Sequence, residues 1–446
     1  MEEFFARISP LLSSEDLEKF KNEYKNKGFR GVRVNTLKCS ADKLLELTEG
    51  EGIGENTPFS GVGFYLEEEA SFSGKHPLHH AGAVYFQEPS AMSAVSLLKP
   101  QRGERVLDLC AAPGGKSTQI ASYLQGEGLL WCNEYVKSRS NILLSNIERC
   151  GVKNAVVSSC DPETLCEKLY GFFDKVLVDA PCSGEGMFRK EPQALTDWSA
   201  QHSDSCADRQ FKILESAKRA LRAGGELVYS TCTFSEAENE GVVRRFLDVN
   251  PDFELVNTEE SFGVRGKDGI GVRIFPFHGG EGHFAVKLRK SEDSCDFSSV
   301  EREKLTPLKN IPKCVTEFFE STFYDTSMLE NALLQKDKLY ILPEDTPDLK
   351  GVGVIRGGVF AGEVRKNYFE PAHALFMAEK PENIRQVVNL TLSDERVKKY
   401  LHGEEISVEG ELKGYCAVCV EGVVLGFGKV SGGQLKNKYP KGLRIM

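Results

Sequence analysis

Between residues 105 and 290, short apolar runs alternate with longer stretches in which apolar positions recur every three or four residues. The short runs have the length of buried strands, and the longer stretches have the period of amphipathic helices. Strands that alternate with helices in this way are typical of a doubly wound, largely parallel α/β sheet. The predicted strands are Arg105–Leu109, Leu129–Asn133, Ala155–Ser159, Lys175–Val178 and Glu226–Ser230, and the predicted helices include Ser138–Arg149 and Ser205–Arg222.

Glycines mark two ends within this segment. The pair Gly224-Gly225 follows the second helix and is predicted to close it. Farther on, Gly279–Gly282 separate two strand-like runs in RIFPFHGGEGHFAVKLRK. This arrangement predicts an antiparallel hairpin at the edge of the sheet.

Before the α/β segment, a helix is predicted to begin at Ser13 or Ser14 and to stop at Gly28. The alternation over Arg30–Lys38 predicts a strand that carries Arg30, Arg33 and Lys38, either on a solvated face or against a phosphate backbone. The aromatic pair Tyr85 and Phe86 is expected to pack against the next domain.

After the α/β segment, the polar stretch Ser291–Lys304 marks a boundary. A hairpin with basic residues Arg356, Arg365 and Lys366 is predicted within Gly351–Pro371, a helix over Ser393–Leu401 and a hairpin turn at Glu421-Gly422. We therefore expect an N-terminal α+β domain at 1–100, the α/β domain at 101–290, a linker at 291–304, and C-terminal α+β units at 305–390 and 391–446.

The composition of the 446 residues is that of a globular chain, with 40% apolar and 27% charged residues. No run reaches the roughly 18 apolar residues of a membrane span, and the acidic start MEEFFARISP is unlike a signal peptide. We expect a cytoplasmic protein with no membrane partner. The 13 cysteines are odd in number and scattered, which favours reduced thiols over disulfides.

Neither candidate metal cluster has the pattern of a metal site. His76, His79 and His80 lack matching cysteines or carboxylates, and Cys416 and Cys419 form a C-x-x-C without a second pair. We expect no metal. The formal charge of -10 argues weakly against nucleic acid, but binding depends on local basic patches and not on the total.

A glycine turn follows the first predicted strand, in VLDLCAAPGGKSTQ, and a helix is predicted to open near Ser117. Such a turn lets a ligand approach the backbone and the free N–H groups of the helix start, although a tight turn without a ligand has the same pattern. Cys110 stands where a P-loop needs its first glycine, and the G-x-G-x-x-G spacing of dinucleotide sites is absent. Glu134, at the end of the next strand, is placed to hold a ribose diol. A nucleoside without phosphates fits this pattern, and S-adenosylmethionine is the expected ligand.

Ligands of open α/β sheets bind beyond the carboxyl ends of the strands. Those ends carry Asp108, Glu134, Asp161 and Asp179, followed by Ser230-Thr231-Cys232. Two cysteines, Cys182 and Cys232, are thus expected to flank one cleft, with Asp179 between them. A buried structural cysteine is the usual alternative for a single thiol, but two at strand ends favour chemistry.

A thiol and a carboxyl group together suit methylation of a pyrimidine at C5. A thiolate that adds to C6, with an acid at N3, makes C5 nucleophilic enough to attack a methyl group, after which a base removes the C5 proton and the thiolate leaves. A helix predicted from about Ser235, or nearby cations, would activate the thiol. The spacing alone leaves open which cysteine attacks.

The motifs CAAPGGK (Cys110–Lys116), DAPCSGEGMFRKEP (Asp179–Pro192) and YSTCTFSEAENE resemble those of the Nol/Nop/Sun family of RNA cytosine-C5 methyltransferases over 105–290. The resemblance implies Cys232 as the nucleophile, Cys182 as the thiol that assists release, Asp179 at the target base and Lys116 as a residue that positions it. DNA cytosine methyltransferases use the Pro-Cys thiol instead. The residues implied to bind S-adenosylmethionine are Cys110, Ala111, Ala112, Pro113, Gly114, Gly115, Lys116, Glu134 at the ribose, Asp161 at the adenine side, and Asp179.

The C-terminal run GKVSGGQLKNKYPKGLRI carries bases and no acid: Lys429, Lys436, Lys438, Lys441 and Arg444. This composition fits either phosphate contacts on RNA or a solvated basic tail. With the RVNTLK and YFQEPSAM segments, the run resembles RsmF-type bacterial ribosomal RNA methyltransferases, whose last domain is PUA-like. The resemblance implies a small-subunit (16S) ribosomal RNA substrate, on a 30S subunit or an assembly intermediate, and we expect a monomer.

Three other functions remain open at this point. In the first, the same enzyme class acts on tRNA or large-subunit RNA, which no physical argument from the residues excludes. A non-catalytic RNA-binding assembly factor would have the fold, but it has no use for both thiols. A methyltransferase for proteins or small molecules fits the basic C-terminal unit poorly.

Overall fold

The computed structural model describes residues 2–190, 195–196, 198–258, 262–293 and 300–445. The end of the DAPCSGEGMFRKEP motif, 191–192, and the middle of the expected linker, 294–299, lie outside the described residues. None of the described helices is long and apolar enough to cross a membrane.

The N-terminal unit packs helices around a four-stranded antiparallel sheet of order β2-β3-β1-β4. Ser13 caps the second helix as predicted, because its side chain accepts a hydrogen bond from the Asp16 amide. That helix ends at Glu23 and not at Gly28, which serves a close approach instead: a Cβ there would lie 2.8 Å from Glu281 Oε1. The elements are α1 Glu2–Ile8, α2 Ser14–Glu23, β1 Gly31–Val34, α3 Ala41–Leu47, β2 Ile53–Asn56, β3 Gly63–Leu66, α4 Pro77–His80, β4 Val84–Phe86 and α5 Ser93–Leu98.

The central unit is the predicted α/β sheet, with five parallel strands in its middle. Its elements are β5 Arg105–Asp108, α6 Gly115–Leu124, β6 Leu129–Asn133, α7 Lys137–Arg149, β7 Ala155–Ser158, α8 Pro162–Lys168, β8 Phe173–Asp179, α9 Ala200–Ala220, β9 Leu221–Thr231, α10 Glu240–Val249, β10 Phe253–Leu255, β11 Val264–Arg265, β12 Val272–Ile274 and β13 His283–Lys290. The hairpin prediction is confirmed, since β13 pairs antiparallel with β12 and β9.

Each parallel strand buries both faces, which explains why the strands read as continuous apolar runs. Leu107 packs into one core with Trp131 and helices α8 to α10, while the adjacent Val106 packs into another with helices α5 to α7. Tyr85 joins the second of these cores, so the expectation that it packs against the next domain is confirmed.

Boundaries in the central unit also differ from the prediction. Helix α6 begins at Gly115, ahead of Ser117. Helix α9 ends at Ala220, because Leu221 is extended and pairs with Phe173, so the glycine pair lies inside β9 and does not close the helix. The helix predicted from Ser235 begins at Glu240, because Asn239 is tied back to the Thr233 carbonyl and the Thr231 hydroxyl.

The first C-terminal unit holds a sheet of order β14-β15-β17-β18 and a strand, β16, that leaves it to pair with β7. The hairpin predicted within Gly351–Pro371 is therefore limited to β17 and β18. Two of the three predicted basic residues form ion pairs: Arg356 of β16 with Glu148, and Arg365 with Glu363 and Glu370. The elements are α11 Lys313–Thr322, β14 Ala332–Gln335, β15 Lys338–Ile341, β16 Val354–Gly357, β17 Val359–Arg365, β18 Tyr368–Pro371 and α12 His373–Met377.

The last unit is a five-stranded sheet of order β19-β21-β22-β23-β20. The predicted turn at Glu421-Gly422 is confirmed between β21 and β22, and Cys416 and Cys419 both lie in β21, buried in two different cores. The core that holds Cys416 also contains Val32 and Phe64 of the N-terminal sheet. The elements are β19 Val387–Leu390, α13 Glu395–His402, β20 Ile406–Ser407, β21 Gly414–Val420, β22 Val423–Ser431 and β23 Gln434–Asn437.

Candidate active site

The glycine turn between β5 and α6 is held open by the neighbouring elements. Ala111 donates its amide to the Asn133 carbonyl at 2.8 Å, and Arg139 and Asn146 of α7 donate to the Ala112 and Pro113 carbonyls at 3.0 and 2.9 Å. Gly114 precedes α6 with a φ of 112°, a backbone conformation that favours glycine, and no side chain caps the helix start. The first N–H groups of α6 are thus left for an anionic group such as a carboxylate.

Strand β1 of the N-terminal unit reaches this turn through Arg33. The Arg33 guanidinium is completely buried and donates to the Gly115 carbonyl at 3.1 Å and to Thr118 Oγ1 at 2.7 Å. The prediction that Arg33 lies on a solvated or phosphate-binding face is therefore wrong. Its position in an alternating strand gave no sign of this contact, which depends on how two domains pack.

Two carboxylates stand at the next strand ends. Glu134 follows β6, is only 4% exposed, and is oriented by the Val136 amide at 2.9 Å and by Arg139 at 3.2 Å. Asp161 follows β7 on the surface and caps α8, where its Oδ1 accepts from the Glu163 and Thr164 amides. The sequence thus placed both carboxylates at the correct edge of the sheet.

Asp179 and Lys116 form a partly buried ion pair, with Lys116 Nζ 2.7 Å from Asp179 Oδ2. The Ser230 hydroxyl donates to the other oxygen at 2.8 Å, and His283 Nε2 lies 3.9 Å from it. Burial opposes ionisation of Asp179, but Lys116, His283 and Ser230 outweigh it and hold the pKa of this carboxyl below its usual range. Burial likewise opposes the charge on Lys116, and Asp179, Cys232 and Asp108 together raise its pKa.

The two predicted thiols meet beside this pair. Cys182 Sγ and Cys232 Sγ lie 3.3 Å apart, and both cysteines are free. The hydrogen bond to Cys232, followed by burial, raises the pKa of Cys182 well above its ordinary value, so this thiol stays protonated. The helix predicted from about Ser235 begins only at Glu240, and the Lys116 ammonium interacts electrostatically with Cys232.

A buried carboxylate that the sequence analysis did not single out joins the two cysteine segments. Glu238 accepts hydrogen bonds from the Ser183 amide at 2.9 Å, the Ser183 and Ser203 hydroxyls at 2.5 and 2.7 Å, and Gln210 at 2.9 Å. Its place in the YSTCTFSEAENE motif was the one available signal. Glu238 fixes the segment after Cys182 against the segment after Cys232.

These groups match a methyl-donating nucleoside. Uncapped N–H groups at a helix start suit its carboxylate, the buried Glu134 suits a ribose diol, and two thiols with an ion pair line the adjacent cleft. Fold and site together define a Rossmann-like S-adenosylmethionine-dependent methyltransferase.

Family models match the chain in four consecutive stretches. They are the N-terminal domain of 16S rRNA methyltransferase RsmF at 1–89, 16S rRNA methyltransferase RsmB/F at 95–289, the first C-terminal domain of RsmF at 317–378 and the RsmF PUA domain at 387–445. The chain belongs to the RsmF group of the RsmB/F family of 16S rRNA methyltransferases, and it is an S-adenosylmethionine-dependent RNA methyltransferase.

Whole-chain relatives agree with this family. The chain is 33% identical to "Ribosomal RNA small subunit methyltransferase F" of Vibrio vulnificus (strain YJ016), over 99% of this chain and 97% of that protein. It is 32% identical to the protein of the same name from Shewanella halifaxensis, over 94% and 92%.

Solved structures match about two thirds of this chain. A methyltransferase homologue from Pyrococcus horikoshii is 29% identical, with a TM-score of 0.56 over 64% of this chain and 93% of that one. NSun6 from Pyrococcus horikoshii, crystallised with SFG, has a TM-score of 0.58 at 24% identity, over 66% and 99% of the two chains. The second likeness concerns the fold alone.

Proposed function

We propose that this protein methylates C5 of a cytidine in 16S ribosomal RNA through a covalent bond between Cys232 and C6 of the base. The observation that carries the proposal is the meeting of two free thiols at 3.3 Å beside the partly buried Lys116–Asp179 pair. A binding protein without catalysis has no use for this arrangement.

Cys232 supplies the nucleophile. Its thiolate adds to C6 while N3 of the ring receives the proton that Lys116 shares with Asp179. C5 thereby becomes an enamine-like carbon. S-adenosylmethionine supplies the methyl group as an electrophilic sulfonium carbon. The Lys116 ammonium, which interacts with Cys232 and Asp179, positions the base.

Cys182 assists the release of the product. Its thiol is protonated and already hydrogen-bonded to Cys232, so it stabilises the sulfur that leaves C6 as a thiolate. The chain holds the cofactor with the turn Cys110–Lys116, with Glu134 at the ribose, with Asp161 at the adenine side and with Asp179. Each of these residues lies at the carboxyl edge of the central sheet.

The RNA is expected to contact the last unit. Lys429 and Lys436 lie directly opposite each other on β22 and β23, and both are exposed together with Lys441. Like charges on paired strands repel, which phosphate groups would relieve. Lys438 and Arg444 are engaged within the protein, by Glu370 and by the Tyr439 carbonyl. We propose a 30S subunit or its assembly intermediate as substrate, in the cytoplasm, and a monomer as the active form, since all site residues come from one chain.

Two variants test the covalent mechanism. Cys232→Ala removes the nucleophile, so it should abolish methylation while cofactor affinity stays within about twofold. Cys182→Ala leaves the nucleophile but removes the hydrogen bond to the leaving sulfur, so it should accumulate a protein–RNA adduct that survives denaturing gels.

The matched control is Cys314→Ala, which removes a partly exposed thiol of α11 outside the catalytic unit and should behave as wild type. Wild-type turnover by Cys232→Ala would refute the assignment of the nucleophile. A denaturing gel of Cys182→Ala without a shifted band would refute the release role.

A further inference from the structure

His283 begins β13 on the face of the sheet that carries the reactive groups. Asp179 of β8 lies opposite Ser230 of β9, and Ser230 lies opposite Ala285 of β13, so the side chains of these three residues share one face of the sheet. Side chains alternate along a strand, which places His283 on the same face as Ala285. Phe284 and Thr231 form the last register pair between β13 and β9. His283 and Cys232 are the next residues beyond that pair, so they lie at the same end of the two strands.

The imidazole of His283 is buried but has no partner. Its side chain is 1% exposed, and neither ring nitrogen has a hydrogen-bond partner among the described residues. Its Nε2 lies 3.9 Å from Asp179 Oδ1, beyond hydrogen-bond distance. An unsatisfied polar group inside a protein costs free energy, so two unpaired nitrogens beside the reactive cleft indicate that the substrate supplies their partner.

The electrostatic surroundings keep this imidazole neutral. Burial and the positive charge of Lys116 lower the pKa of His283 to about 4, against the opposing influence of Asp179 and Glu88. The oxygens of Glu88 are engaged by Ser90 and by the amides of Ala91 and Glu281. A neutral imidazole has a free lone pair for a proton, whereas the Cys182 thiol already holds its own.

The geometry points to His283 as the group that accepts the C5 proton after methyl transfer, an inference that rests on the proposed function. The C5–H bond breaks and its proton moves to an imidazole nitrogen. The electron pair of the C5–H bond forms the C5=C6 double bond as the C6–S bond breaks. The electron pair of the C6–S bond leaves with sulfur, so Cys232 returns to its thiolate form. The proton lent to N3 returns to the Lys116–Asp179 pair that supplied it, and the imidazolium formed lies next to the Asp179 carboxylate.

His283→Asn tests this role in the full-length protein with 30S subunits that carry tritium at C5 of cytidine. Under single-turnover conditions, methyl transfer from labelled S-adenosylmethionine and tritium release are followed in the same sample. We expect methyl transfer within about threefold of wild type and tritium release slowed about 100-fold, the usual effect of losing a general base. A covalent complex that carries the methyl label should accumulate.

The matched control is His373→Asn, which removes a partly buried imidazole whose Nδ1 is buried and unpartnered, in α12 of the first C-terminal unit. It should keep the wild-type ratio of the two rates. That ratio is independent of the amount of folded enzyme, so a partly unfolded variant still gives an answer.

If His283→Asn keeps the wild-type ratio of tritium release to methyl transfer, the inference is overturned, because proton removal then has no special need of this side chain. Absence of both methyl transfer and tritium release in the wild-type protein would overturn the proposed function itself. The two failures are distinguishable, because only the second appears in the unaltered chain.

Discussion

Asp108 and Asp179 end neighbouring strands of one sheet, yet their carboxyl groups ionise differently. Burial raises the pKa of Asp108 to about 7, because its closest partner is the neutral Ser117 hydroxyl at 2.7 Å. Asp179 is partly buried, and the Lys116 ammonium at 2.7 Å keeps its pKa low. One cation therefore decides which carboxyl group is charged in the cleft.

Replacing Asp108 by Asn should change how stability depends on pH. Between about pH 4 and 7, Asp108 is protonated in the folded protein but ionised in the unfolded chain, so the wild-type free energy of unfolding falls as pH rises. Relative to Asp108→Asn, the slope should approach about 1.4 kcal/mol per pH unit and vanish above pH 7. Urea unfolding at pH 5, 6, 7 and 8 measures it, and parallel pH profiles would contradict the assignment.

At this scale the sequence predicted the residues that stand in motifs at strand ends. Asp179, Cys182 and Cys232 do meet Lys116 in one cleft. Their chemical roles stay predictions. His283 and Glu238 were missed, because their importance comes from contacts between segments that are distant in the chain.

Among the elements, those of the parallel sheet were the most predictable. A strand buried on both faces must be apolar throughout, so β6 was predicted with the bounds that it has in the structure. Strand β16 was assigned to a hairpin instead, because its residues do not reveal that β7 offers an unpaired edge. The late start of α10 depends on side-chain hydrogen bonds of Thr231 and Asn239, which no apolar pattern contains.

The contact of β1 with α6 gives a prediction at the element scale. Arg33→Lys keeps a positive charge but loses the guanidinium group that donates to the Gly115 carbonyl and to Thr118 Oγ1. The start of α6 should therefore be less well ordered. We expect cofactor affinity to fall about tenfold, as for the loss of one charged hydrogen bond. Isothermal titration with S-adenosylmethionine measures it.

Arg30→Lys is the matched control for this measurement, because Arg30 precedes β1, is exposed and lies outside the cofactor turn. It should bind the cofactor as wild type does. Equal affinities for the Arg33 and Arg30 variants would show that the N-terminal unit does not support the turn.

At the scale of the whole molecule, the N-terminal unit and the last C-terminal unit share one hydrophobic core. Val32 of β1 and Leu435 of β23 pack in the same cluster, so the exposed lysines of the last sheet are fixed to the domain that braces α6. The net charge of -10 had argued weakly against nucleic acid, yet the chain belongs to a family of RNA methyltransferases. Local placement of charge matters more here than the total.

The central claim is that this protein forms 5-methylcytidine in small-subunit RNA, and nucleoside analysis tests it most directly. Purified protein is incubated with labelled S-adenosylmethionine and, separately, with 30S subunits, naked ribosomal RNA and bulk tRNA. We predict labelled 5-methylcytidine mainly in the small-subunit samples. Labelled 5-methylcytidine in tRNA alone would contradict this prediction, and so would the absence of labelled 5-methylcytidine from every sample.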